Sequence, residues 1–174
     1  MSTVENYLVI KLGGTSQTMY GYNNLVKKIK EYNDMKIIIV VSAIKDVTNN
    51  LIDFTKTGNI KLIENLLEKN YKLCDELGID KKIVNNNIPS DYIINSTQDK
   101  INIVALGETL TANILNLYLQ KTGLISIFLD SIGFIHSNIN NDKDSIYNKG
   151  EFEVNNYILY NKFRTSNIII VPGF

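Results

Sequence analysis

With 174 residues, 44% of them hydrophobic and 21% charged, the chain has the length and composition of one globular domain with a substantial core. Its 18 Lys and Arg balance 18 Asp and Glu, so no basic excess points to nucleic acid or to an anionic membrane surface. No apolar run reaches the ~18 residues of a membrane-spanning helix, and the N-terminus does not read as a signal peptide.

Cys74 is the only cysteine, which excludes an internal disulfide and fits a reduced, partly buried thiol in a cytoplasmic setting. His136 is the only histidine, so neither a Cys–His nucleophile nor a soft-ligand metal site is expected. Asn, Ile and Lys abound and Arg164 is the single arginine, the signature of an AT-rich coding sequence. Runs such as Asn85-Asn86-Asn87 therefore carry little functional information.

The apolar run Tyr7–Leu12 reads as a buried parallel strand. Gly13 and Gly14 follow at once, and Thr15 and Ser16 offer caps for the next segment. Strand, glycine turn and helix start would present N–H groups to a phosphate, with Lys11 close by. The same pattern also suits an ordinary tight turn with Lys11 at a solvated strand end. It is neither a P-loop nor a dinucleotide fingerprint.

A helix is expected over Asn23–Asn33, with Leu25, Ile29 and Tyr32 facing inward, and then a second buried strand, Lys36–Val41. Leu51–Thr57 reads as a short helix. Asn59–Leu77 reads as a longer amphipathic one, stopped by Gly78. The polar stretch Asp80–Asp99 suggests a small helix and a loop. Ile101–Leu106 is apolar, and Gly107-Glu108 reads as opening a helix that runs to Lys121, capped by Gly123. Glu108 would then be a favourable first-turn charge.

Ile125–Leu129 is a third strand and Ser137–Gly150 a polar loop, either a lid or a surface excursion. Glu151–Phe163 reads as a helix and Asn167–Val171 as a last buried strand. Strands alternating with helices predict an α/β fold, a three-layer sandwich around a largely parallel sheet.

Three segments together carry more than each alone. They are Lys11-x-Gly13-Gly14-Thr15-Ser16, Ser42-Ala43 followed by Thr48-Asn49, and Gly107-Glu108. Taken singly, Ser42 and Thr48 could simply be a strand end and a cap. In order and spacing the three resemble the aspartate kinases of the amino-acid kinase superfamily. Leu129-Asp130 and Val171-Pro172-Gly173-Phe174 extend that resemblance to about residues 7–174.

The resemblance implies transfer of the γ-phosphoryl of ATP, with Mg²⁺, to the β-carboxylate of aspartate, the entry to lysine, threonine and methionine biosynthesis. It implies that Lys11 neutralises the transferring phosphoryl. Gly13, Gly14, Thr15 and Ser16 would hold phosphate oxygens. Ser42, Thr48, Gly173 and Phe174 would line the substrate, and Glu108 would pair with the aspartate ammonium. No protein metal ligands are implied within these residues.

The sequence also departs from the family pattern. Lys45-Asp46 stand where the family's loop has small residues or glycine. No Gly-Arg-Gly-Gly-Ser-Asp segment of the nucleotide lobe is present. Residues 1–174 are thus expected to be the amino-acid-substrate lobe of such a kinase, truncated at its C-terminal side. Nucleotide lobe and regulatory domains are absent from it, and it is expected to be inactive alone. Other readings are a non-enzymatic kinase half that binds a metabolite or partner subunit, and a kinase with a different acceptor. Aspartate, ATP, and a homo-oligomer or complementing lobe are the partners implied.

Overall fold

The computed structural model describes residues 6–137 and 152–173. Four parallel strands form the main sheet: β1 (Tyr7–Leu12), β2 (Lys36–Val41), β3 (Ser126–Phe128) and, in chain order the sixth strand, β6 (Ile168–Pro172). Their spatial order is β1-β2-β6-β3. A separate antiparallel pair joins β4 (Ile135–Ser137) to β5 (Phe152–Val154). The β6 sequence Ile-Ile-Ile-Val-Pro is buried throughout, as a central parallel strand covered on both faces must be.

Helices α1 (Met19–Glu31), α2 (Val47–Thr57), α3 (Lys61–Leu77), α4 (Lys82–Asn86) and α5 (Thr97–Lys121) supply the larger core with one sheet face. Helix α6 (Asn156–Phe163) packs Phe163, Ile158 and Leu159 on the other face, with Leu129 and Phe134. The sheet is therefore flanked by helices, as the alternating pattern predicted.

Strand β1 departs from expectation. It is an edge strand, not a buried one: Tyr7, Val9 and Lys11 are exposed on one face, while Leu8, Ile10 and Leu12 turn to the core. Helices α1 and α2 each begin four residues earlier than their periodicity suggested. The cap of α1 is Thr18, whose Oγ1 accepts from the Gly21 N–H at 3.1 Å, rather than Thr15 or Ser16. Both Gly78 and Gly123 take the left-handed conformation, φ 60° and 85°, and terminate α3 and α5 as read.

Two readings are overturned. Gly107-Glu108 does not open a helix; it lies in the middle of the 25-residue α5. That helix starts at a capping box: Ser96 Oγ accepts from the Asp99 N–H, and Asp99 Oδ2 accepts from the Ser96 N–H at 2.8 Å. Within Glu151–Phe163, residues 152–154 are strand β5 rather than helix, and α6 begins after the Asn155 cap. The proposed loop at Ser137–Gly150 lies outside the described residues beyond Ser137, which ends β4, and Phe174 lies outside them too.

Cys74 is fully buried rather than partly so. Among the described residues no helix is long and apolar enough to cross a membrane.

Candidate functional site

The carboxyl ends of β1, β2 and β6 lie side by side, because Leu12 pairs with Val41 and Val41 with Pro172. Ligands of open parallel sheets gather at this end. After β1 the chain makes one tight turn, Gly14–Ser16, closed by the Ser16 N–H donating to the Gly13 carbonyl at 2.9 Å. The Gly14 carbonyl accepts from the Lys45 N–H at 3.2 Å. Both glycine carbonyls are thus engaged within the protein.

Gly14 is needed here for space. A Cβ on it would lie 2.6 Å from the Ala43 carbonyl oxygen and 3.2 Å from the Lys45 nitrogen. The turn and the loop after β2 are therefore in backbone contact. In that loop Asp46 holds φ 70°, the only non-glycine positive φ among the described residues. Asp tolerates this region better than most residues, though not as well as glycine.

Helix α5 approaches the same loop closely. A Cβ on Gly107 would sit 2.7 Å from Ala43 Cβ and 3.0 Å from Val47 Cγ1. This absence of a side chain lets the next residue, Glu108, reach the strand ends. Glu108 is 6% exposed. Its Oε1 accepts from Thr48 Oγ1 at 3.1 Å, while Oε2 has no partner among the described residues.

Burial raises the Glu108 carboxyl above the ordinary glutamate range. Hydrogen bonds from backbone N–H groups, including that of Ala43, from Thr48, and the charge of Lys11 oppose the rise. Lys11 reaches the far side of the cluster: a Cβ on Gly173 would be 2.7 Å from Lys11 Nζ and 2.9 Å from the Val41 carbonyl. The Gly173 N–H donates to that carbonyl at 2.8 Å and fixes the end of β6 beside β2.

Of the residues predicted from sequence, Lys11, Gly13, Gly14, Ser42, Thr48, Glu108 and Gly173 come together at this strand end. Thr15 and Ser16 sit in the 3-10 turn next to it. Three residues that hold the site were not foreseen. Thr111 Oγ1 lies 3.0 Å from the Ser42 carbonyl, tying α5 to the β2 loop. Tyr22 Oη donates to Gln17 Oε1 at 2.8 Å, and Gln17 Nε2 donates to the Leu12 carbonyl at 3.3 Å. All three side chains are buried, so the glycine turn rests on a polar strut inside the core. Thr111, between Leu110 and Ala112, was the only one set among apolar residues; Gln17 and Tyr22 stand in polar stretches that give no such signal.

A model of the Amino acid kinase family matches residues 6–174. The chain belongs to the amino acid kinase family. No curated protein matches it. Among solved structures of this fold it is similar to Escherichia coli aspartokinase III in complex with aspartate and ADP, at 15% identity and a TM-score of 0.65. It is likewise similar to the aspartate kinase of Clostridium acetobutylicum, at 22% identity and a TM-score of 0.67. The match to the Synechocystis aspartate kinase has 16% identity and a TM-score of 0.59.

These matches cover 96%, 98% and 97% of this chain, but 40%, 39% and 22% of the kinases' own lengths. Our chain therefore spans at most about two fifths of those enzymes.

Proposed function

We propose that this chain holds the amino-acid acceptor for an ATP-dependent phosphotransfer of the aspartate kinase type. One observation carries the reading. A nearly buried carboxylate, Glu108, keeps one oxygen without a partner among the described residues, beside Thr48 and within the electrostatic reach of Lys11. A buried carboxylate with a spare oxygen suits the ammonium of an amino acid, which would supply the missing charge partner.

In this reading Glu108 takes the ammonium, and Thr48 holds the carboxylate in place. Ser42 lines the acceptor from the loop after β2, and Gly173 keeps the β6 end clear for it. Lys11 stands where charge builds on the transferring group, and the Gly13 and Gly14 amides face its oxygens. The acceptor's side-chain carboxylate oxygen bonds to the γ-phosphorus as the bond to the β–γ bridging oxygen breaks, releasing ADP. Such transfers depend on position and charge neutralisation more than on covalent help from the protein. Mg²⁺ would arrive with ATP on its phosphates, which asks for no dedicated protein cage. A Cβ on Gly13 would meet nothing within 4 Å, so the turn leaves open space beside that residue for phosphate oxygens.

Binding tests the reading directly. L-Aspartate titrated into the 174-residue chain is expected to bind, and Glu108→Gln to weaken it by ~2 to 3 kcal/mol, the scale of losing a buried charge partner. Succinate, which lacks the ammonium, is expected to be indifferent to that substitution. Equal aspartate affinity in both proteins would overturn the reading.

A further inference from the structure

At the opposite end of the sheet, away from the site above, lies a cavity of about 480 Å³. It opens where β2, β3 and β6 begin, and its walls include Lys30, Lys36 and Arg164. Among the described residues no acidic one lines it. Asp34, in the adjoining turn, is not part of the wall, and Glu31 is tied to Lys28 at 2.9 Å.

None of the three cations forms an ion pair among the described residues. One is also held in place. Lys36 Nζ donates to the Phe163 carbonyl at 2.9 Å and to Asn167 Oδ1 at 2.8 Å, and lies 5.7 Å from the centre of the Phe163 ring. An ammonium has three donors, so one remains for a ligand. Arg164, the only arginine in the chain, adds a planar fork suited to carboxylate or phosphate. Apolar wall comes from Met35, Tyr32 and Ile125, the last 73% exposed.

Three cations with no acidic residue beside them in the wall repel one another in a chain whose net charge is zero. An anion relieves that repulsion, and the cavity has the size of a small metabolite site. We propose that this cavity is a second ligand site, for a small anion that carries carboxylate or phosphate groups on an apolar body. It is separate from the acceptor site and does not depend on the kinase reading. Lys36 would fix one oxygen, and Arg164 and Lys30 would close over the anion.

Phenyl phosphate, phenylpropionate and inorganic phosphate, titrated separately and followed by amide NMR, test this and distinguish the two anion types. The expected result is saturable binding of at least one aromatic anion, with shifts confined to residues 30–37, 123–125 and 164–168. Lys30 and Arg164 are exposed, so their replacement should leave the fold intact. Lys30→Gln combined with Arg164→Gln is expected to weaken binding about tenfold or more, the scale of losing charged hydrogen bonds. Raising the salt should weaken it too. Non-saturating shifts, unchanged affinity in the double variant, or shifts centred on Gly13 and Glu108 instead would each overturn the proposal.

Discussion

Thr48 and Glu108, 60 residues apart in sequence, meet through a 3.1 Å hydrogen bond that joins the first turn of α2 to the middle of α5. It places an almost buried carboxylate where three strand ends converge. The arrangement has energetic consequences that can be measured without any substrate.

Glu108 should make the ligand-free protein less stable as pH rises. Burial lifts its folded-state affinity for a proton, so the folded chain holds that proton where the unfolded chain has released it. Stability from this group is then greatest in acid, and falls as pH climbs from the ordinary glutamate range through the raised one. Glu108→Gln removes the charge. It is expected to raise the neutral-pH melting temperature by ~2–4 °C, for a gain on the order of 1 kcal/mol, and to flatten the pH dependence. Thermal melts of both proteins across pH 4 to 8 check this.

Gly107→Ala sets two effects against each other. Alanine favours a helix by ~1 kcal/mol over glycine. Its Cβ would stand 2.7 Å from Ala43 Cβ, however, and overpacking of that kind costs ~1–3 kcal/mol. Because the neighbour is a short side chain that cannot rotate away, the clash should win. Net destabilisation of about 1 kcal/mol or more is expected in denaturant titration, together with weaker aspartate binding as Glu108 is displaced.

Asp46→Gly should stabilise. Asp46 sits at φ 70° and its side chain makes no cap hydrogen bond. Glycine relieves that conformation, for a gain of up to ~1 kcal/mol. Asp46→Ala keeps a Cβ without the polar group that tolerates this region, and should move the melting temperature the other way.

The Cys74 thiol should be inert in the folded protein. Burial pushes it up to about 11, with Asp75 adding to the rise. Little thiolate exists at neutral pH, and the sulfur is enclosed. Thiol-reactive dye should label it slowly in buffer and at once in denaturant, so that labelling reports global opening.

Ser96→Ala should cost about 1 kcal/mol, the usual worth of a helix cap. Hydrogen bonds from Ser96 and the Asn95 N–H hold the Asp99 carboxyl below its ordinary range. The support this acid gives is present above its unfolded value and is lost as pH falls through the lowered one. Helix loss by circular dichroism on acid titration should begin at higher pH in Ser96→Ala.

Strands β1 and β2 were legible to the residue, because short apolar runs flanked by glycine or polar turns have little alternative. The edge position of β1 was not, since strand order depends on pairings over a hundred residues apart. Helix α5 was misread for a local reason. It is buried around most of its girth, with Val104, Leu110, Ile114 and Leu115 all enclosed, so no polar stripe marks its length. Gly107 then imitates a helix start, whereas the helix starts at the Ser96–Asp99 capping box. β5 is set by pairing with β4 across a distant stretch and leaves no local trace. At the site, motif order named residues that lie together at the strand ends; the strut of Gln17, Tyr22 and Thr111 was not legible, because buried polar residues are defined by their neighbours.

The strand order β1-β2-β6-β3 puts the last described strand between two that precede it. On the ribosome, β2 and β3 cannot be joined until residues 168–172 emerge, for Ile37 pairs with Ile168, and Ser126 with Ile168 as well. The sheet is thus assembled by insertion, with β6 closing a gap that nascent chain must hold open. Long-range parallel pairing of this kind is slow. Until it occurs, the edges of β2 and β3 are unpaired and prone to associate with other chains. A window of exposed strand edges during synthesis is a direct consequence of where one five-residue strand sits.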